Sequence, residues 1–199
     1  MQRRFMLKSG QRSLCALAFL AALPLAASAQ SQGAPLCDEP TSLSCTISKE
    51  TTGSWTATVE TTPLGSGTLV RLATRSINDI PAIFGGDTKA TLQITCAANS
   101  TRFALSFGDN FMSDLGSYGD VVYRVDDGQV QVASFTTSSD NQMLMAPAGI
   151  ASIGFIRELF MHDMLNVSVR TFTDSRISAA FEITDLEQAI APVREACNW

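Results

Sequence analysis

The side chains able to do chemistry are few and scattered. The chain has one histidine, His162, beside Asp163. The pair suggests the base and orienting acid of a nucleophilic triad, but neighbouring residues of a helix point in different directions. A histidine near a helix C-terminus is favoured by the dipole alone, so His162 reads as structural. No Gly-x-Ser-x-Gly elbow accompanies it, since Gly116-Ser117-Tyr118-Gly119 has another spacing. Asp109, Asp114 and Asp120 cluster in a polar, glycine-containing stretch. Two of them could serve as the carboxylate pair of a hydrolase acting on cell-wall glycan, which is the alternative function. Their spacing fits no Ca²⁺ loop, and loop solvation accounts for them. Gly85-Gly86-Asp87 is a turn rather than a phosphate cradle, because no Lys-Ser/Thr follows it. Arg124 sits beside Tyr123 within an alternating run. It faces solvent or a cross-strand carboxylate such as Asp126, or forms, with Tyr123, the centre of a ligand-binding module.

Cysteine is the remaining reactive type. Cys15 lies in the first 29 residues, and Cys37, Cys45, Cys96 and Cys197 follow. No Cys-x-x-Cys pair or histidine cluster points to a metal, and no cofactor motif is present. Four cysteines in an exported chain favour two disulfides, among three possible connectivities.

Export is written at the N-terminus. A basic stretch with Arg3, Arg4, Lys8 and Arg12 precedes an apolar run from Leu14 to Ala27, and Ala27-Ser28-Ala29 supplies a small-x-small cleavage pattern. The run is shorter than the roughly 20 residues a permanent membrane span needs. Residues 1–29 are thus expected to be a cleaved signal peptide, delivering the rest to the periplasm without a stable membrane span. Four of the 14 basic residues and none of the 19 acidic ones lie in it, leaving 10 Lys+Arg against 19 Asp+Glu, a net charge of −9. That balance argues against nucleic acid and anionic lipid as partners.

Elements of two kinds must position these residues. Residues 30–52, rich in Ser, Thr, Pro and Gly, are expected to form a flexible N-terminal segment with a small disulfide loop, and residues 53–199 one domain. Period-2 alternation marks strands over 55–60, 68–75, 91–96 and 102–107, the last two joined through Ala98-Asn99-Ser100. Val121–Val125 and Gln129–Val132 flank Asp126-Asp127-Gly128, a hairpin signal in which Gly128 supplies the positive φ. Val167–Phe172 and Ile177–Ile183 form another pair.

Helical spacing appears twice. Ile150, Ile153, Ile156 and Phe160 mark an amphipathic helix over 150–162. Asp185 and Gln188 resemble a capping box opening a helix over 185–196, with a kink or restart at Pro192. Leu186, Ile190, Val193 and Cys197 make its buried stripe, while Cys96 lies on the buried face of a central strand. Cys96 is therefore paired with Cys197, and Cys37 with Cys45 by elimination and proximity. The expected fold is a single antiparallel, mainly β, sandwich-like domain with two α-helices, the last at the C-terminus.

The distributed motifs of residues 55–199 resemble a known family. Trp55 opens the domain, and Leu72-Ala73-Thr74-Arg75-Ser76 follows. Leu92-Gln93-Ile94-Thr95-Cys96 with Asn99 and Thr101 is similar to a family stretch I-x-C-x-x-N-x-T, and Val122-Tyr123-Arg124-Val125-Asp126 to V-x-Y-R-x-D; Ser138-Ser139-Asp140 comes next. The close, from Leu186 through Ala189-Ile190 to Arg194-Glu195-Ala196-Cys197-Asn198-Trp199, is similar to L-x-x-A-I-x-x-x-R-x-A-C-G-W. The chain thus resembles the VasI/TagO family of proteins associated with type VI secretion. Asn198 stands where the family has Gly, and Asp185 where Gly often precedes the Leu. The resemblance implies an exported accessory protein with a protein partner in the cell envelope, without established catalysis, and it brings no catalytic residues.

Overall fold

The computed structural model describes residues 45–61 and 67–199, all within one unit of the chain. The proposed signal peptide 1–29 and Cys37 lie outside the described residues, so the expected Cys37–Cys45 loop does too. Thirteen strands and three helices follow in order. They are β1 (Cys45–Thr52), β2 (Trp55–Thr61), β3 (Thr68–Arg75), β4 (Ile80–Pro81), β5 (Asp87–Thr88), β6 (Thr91–Ala97), β7 (Ser100–Ser106) and β8 (Asp120–Val125). Then come β9 (Gln131–Ser134), β10 (Thr136–Thr137), β11 (Met143–Met145), α1 (Ile150–Glu158), β12 (Met164–Arg170), β13 (Arg176–Glu182), α2 (Leu186–Ala189) and α3 (Ala191–Cys197).

Two antiparallel sheets carry the core. One has the order β1-β2-β3-β6-β7-β11-β10, the other β13-β12-β8-β9, and β4 and β5 make a small separate ribbon. Alternation decides which side chains go inward. Val70 and Leu72, Leu92 and Ile94, and Phe103 and Leu105 bury one face of the larger sheet. Val121 and Tyr123, Leu165, Val167 and Val169, and Ile177, Ala179 and Phe181 bury the facing side of the smaller. The mainly β, antiparallel, sandwich-like architecture is the one the alternation implies.

Several local expectations need correction. The sheet begins inside the segment expected to be flexible, because residues 45–52 pair as β1 along β2, from Cys45↔Thr61 to Thr52↔Trp55. The β6–β7 link has two residues rather than three. Ala97 pairs with Ser100, and Ala98 (φ 48°) and Asn99 (φ 57°) are both left-handed, the geometry of the tight hairpin turn that matches strand twist. In the β8–β9 turn the left-handed residue is Asp126 (φ 46°), not Gly128. Glycine is needed at 128 for space, since a Cβ there would stand 2.9 Å from the Val125 carbonyl oxygen.

The helices also differ from their expected stripes. Helix α1 ends at Glu158, and Ile150 is 89% exposed rather than buried. Ile156 of the expected stripe is buried, and Ser152 and Leu159 complete the buried side. The Ser152 hydroxyl donates to the Pro147 carbonyl (2.7 Å) and accepts the Phe103 N–H (3.1 Å), which satisfies a buried polar group and ties the helix to β7. The expected capping box is absent, because Asp185 is left-handed (φ 62°) and makes no side-chain cap. The terminal helix breaks at Ile190 and restarts as α3 with Pro192 in its first turn, where proline removes no helical hydrogen bond.

The stripe Leu186, Ile190, Val193 and Cys197 is buried, and Cys197 is bonded to Cys96 of β6, with Cα atoms 5.8 Å apart. The bond closes a separation of 101 residues, which stabilises the fold by about 4–5 kcal/mol in the chain-entropy account.

Candidate functional site

The outer face of the smaller sheet holds an open, shallow hollow. Strands β12 and β13 carry small or polar side chains on this face, Asn166 and Ser168 on β12 and Ser178 and Ala180 on β13, where a sandwich interior would carry large ones. Low side chains between taller neighbours leave a shallow groove of about 400 Å³. Val122 and Arg124 of β8 and Val130 border it on one side, and Asn78 on the other. Cross-strand register places Val122 between Val132 and Ser168, and Arg124 opposite Asn166.

Both members of the candidate pair Tyr123–Arg124 border this groove, but strand alternation sends their side chains apart. Tyr123 is 6% exposed. Its ring packs edge-on against Phe155 of α1, with centroids 5.1 Å apart, and its hydroxyl donates to Gln131 Oε1 at 3.1 Å. Burial pushes the phenol pKa up, and the nearby Glu158 carboxylate adds to it. Tyr123 thus contributes backbone to the groove floor and its side chain to the core. Phe155 also meets Phe103 at 4.7 Å and Phe135 at 5.7 Å, so one helical aromatic locks β7, β8 and the β9–β10 junction together. Arg124 points to the outer face and is exposed, with no ion-pair or hydrogen-bond partner among the described residues. Of the readings its mid-strand position allows, Arg124 takes the solvent-facing one and does not pair with Asp126.

Asp126 has other partners. Its Oδ1 accepts the N–H groups of Asp163 (3.1 Å) and Met164 (2.8 Å), and its Oδ2 contacts His162 Nδ1 at 2.7 Å. These bonds, the Met164 one first and the His162 one next, hold its carboxyl below the ordinary aspartate range. The cluster splices the β8–β9 turn to the start of β12. His162 therefore supports a turn, with Asp126 as its partner and not the adjacent Asp163.

Two of the three candidate aspartates are engaged in local hydrogen bonds. Asp114 Oδ2 accepts the Thr137 N–H at 3.1 Å, Asp120 Oδ1 accepts the Ser134 hydroxyl at 2.9 Å, and Asp109 is exposed. Each of the two bonded carboxylates serves a neighbouring strand. Among the described residues no group of three His, Cys, Asp or Glu side chains is arranged to hold a metal ion. None of their helices is long and apolar enough to cross a membrane.

Two features of the surroundings carry no signal in the sequence. Asn78, in a stretch that reads only as a loop, lies along β13. Its Nδ2 donates to the Ser178 carbonyl (3.1 Å), its Oδ1 accepts the Ala180 N–H (2.8 Å), and Ile77 N–H reaches the Ala180 carbonyl (2.8 Å). A partner 100 residues away supplies what a further strand would. At the C-terminus the guanidinium groups of Arg157 and Arg194 each lie over the Trp199 ring, 5.5 Å from its centroid, and the Arg157 contact holds the chain end against α1.

Comparison with other proteins agrees with this architecture. The crystal structure of invasion-associated protein B from Bartonella henselae is similar in fold, with a TM-score of 0.50 and 10% identity, covering 76% of this chain and 99% of that one. No curated protein matches the sequence. The family model described as type VI secretion system VasI, EvfG matches residues 28–199. The two departures from the family's closing pattern, Asp185 (φ 62°) and Asn198 (φ 53°), are both left-handed. Asp and Asn are the side chains that tolerate that conformation best after glycine, so both substitutions keep the backbone that glycine would give. With its whole described fold inside the matched range, the chain belongs to the VasI family of type VI secretion proteins.

Proposed function

We propose that this protein is an exported, non-enzymatic accessory of the type VI secretion system that acts in the periplasm by binding a protein of the cell envelope. The observation that carries the reading is the family match across residues 28–199. Two features of the molecule support it. Asp114 and Asp120 are engaged in hydrogen bonds to neighbouring strands, and the groove on the outer face of the smaller sheet is shallow and open. A small ligand normally sits in an enclosed, largely apolar pocket, whereas shallow faces of this kind suit a macromolecule.

The test is complementation of a deletion strain, read as type VI-dependent killing of a competitor, together with fractionation. The full chain should restore killing and be recovered, shortened at its N-terminus, in the periplasmic fraction. A chain lacking residues 2–29 should fail to restore it. Full rescue by that leaderless chain, or killing unchanged by the deletion, would overturn the proposal. The combined Asp109→Asn, Asp114→Asn and Asp120→Asn variant should also rescue. If it stays folded yet fails, the non-enzymatic part of the proposal falls and the hydrolase returns.

A further inference from the structure

The two sheets present four edges, and three of them are closed to further pairing. On β13, Asn78 and Ile77 occupy the backbone groups of Ser178 and Ala180. Strand β1 has a register break between Thr46 and Ser48 and carries the charged pair Lys49 and Glu50. Strand β10 is only two residues long. Bulges, charges, short length and side-chain cover are the devices by which sheet edges avoid pairing with other chains.

Strand β9, four residues long, carries no bulge, charge or side-chain cover among the described residues. Among the described residues it pairs with β8 alone, through Tyr123↔Gln131, Val122↔Val132, Val121↔Ala133 and Asp120↔Ser134. The Phe135 N–H donates to the Gly119 carbonyl at 2.8 Å, which fixes the phase of the ladder. Residues 131, 133 and 135 turn their backbone groups toward β8, so those of Val130, Val132 and Ser134 turn outward. These outward groups have no partner on the chain among the described residues. The stretch from Gln129 to Ser139 contains no charged residue and no proline. Val130 and Val132 are 66% and 61% exposed, and with Val122 they form an apolar strip on the outer face beside the groove.

The occupant follows from the charge next to that strip. One step beyond the last paired rung, Arg124 stands opposite Val130 on the same face, unpaired. A strand added to β9 would lie about 10 Å from β8, two strand spacings away, a gap that an arginine and a glutamate side chain bridge between them. A second copy would not answer it. In β9–β9 pairing centred on Val132, Ser134 of the other copy falls opposite Val130, and its Asp120 comes about 14 Å, three strand spacings, from the strand of Arg124.

We propose that β9 is a strand-addition edge that takes an extended segment of a partner protein, with apolar side chains over Val130 and Val132 and a carboxylate at Arg124. Main-chain hydrogen bonds would supply affinity and the alternate side chains specificity. The inference rests on the reading of this protein as an interaction module and names where and how it binds.

The experiment is photocrosslinking in living cells, with benzoylphenylalanine placed in the full chain at position 130 or 132, and at position 95 on the outer face of the other sheet as control. The probe is the cell's own complement of envelope proteins, and the adduct peptide is sequenced. Expected is one heterologous adduct at 130 and 132, absent at 95, mapping to a segment with alternating apolar residues and an Asp or Glu. Val132→Pro removes one outward N–H without touching the ladder to β8. Placed with the probe at 130, it should cut the yield at least tenfold with an unchanged melting temperature, and Arg124→Glu should do the same. No adduct at either position, an adduct of the chain with itself, or yields indifferent to both substitutions would overturn the proposal. If killing is rescued but no adduct forms, the edge inference fails and the secretion role stands. If the adduct forms but the deletion leaves killing intact, the secretion role fails and the edge stands.

Discussion

The two flanks of the smaller sheet solve the same problem in opposite ways. At β13 the exposed backbone is answered from within the chain. Asn78 imitates a neighbouring strand, Ser54 Oγ donates to the Glu182 carbonyl (3.1 Å), and Trp55 Nε1 donates to the Thr184 carbonyl (3.1 Å). At β9 the outward groups are left to the surroundings beside two exposed valines. An edge costs little in water, where solvent satisfies its donors and acceptors, but it remains a template for another chain. The chain therefore protects one flank and keeps the other available. The contrast shows that a surface can be assigned a role from how its backbone groups are satisfied as much as from its side chains.

That comparison can be broken in order of effect. The largest change should come from removing the bond that anchors α3 and, through it, α2 against β1 and β2. Cys96→Ala with Cys197→Ala should lower unfolding free energy by about 4–5 kcal/mol in a denaturant titration. A loss below about 1 kcal/mol would mean the helices hold without the staple. Next, Asn78→Ala frees the Ser178 carbonyl and the Ala180 N–H at once. A cost of about 1–3 kcal/mol is expected, with new concentration-dependent association in sedimentation, because the closed flank would then resemble the open one. A variant as stable and as monodisperse as the parent would show that Asn78 guards nothing.

A smaller effect is tied to pH. The folded pKa of Asp126 lies below its unfolded value, so its contribution is fully present above the unfolded aspartate pKa of about 3.9. It is lost as pH falls through the folded value. Melting temperature should therefore drop below about pH 4, and Asp126→Asn should flatten that part of the profile. An identical acid limb in both proteins would separate Asp126 from the stability of the β8–β9 turn. The smallest effect belongs to the open flank: Val132→Lys should leave the melting temperature within about a degree, since surface substitutions usually change stability by less than about 0.5 kcal/mol. A large drop would show that Val132 packs against something and that β9 is not free.

Much of the fold was legible because it depends on local period. Leu92, Ile94 and Cys96 alternate with Gln93 and Thr95, and that alone places a strand and its buried face. Positions set by the rest of the molecule were not legible. Ile150 fits a helical stripe, yet it is exposed because the first turn of α1 faces β7 with Ser152, which accepts the Phe103 N–H, and not with Ile150. The capping box at Asp185 and Gln188 had the right residues, but the chain enters α2 from a left-handed residue, which turns the Asp185 side chain from the first-turn N–H groups. The Tyr123–Arg124 pair was found by type and neighbourhood, but adjacency along a strand means opposite faces, so only one of them can serve the groove.

Sequence alone determined the composition of each face, the buried cysteines of β6 and α3 and the family to which residues 28–199 belong, because these depend on residue type and on spacing within one element. Only tertiary structure decided which sheet edges are closed. Asn78 reaches β13 across 100 residues, Asp126 reaches His162 across 36, and β9 has β8 on one side and no strand among the described residues on the other. Hydrogen bonding between distant segments depends on where the chain brings them, and no local pattern records that.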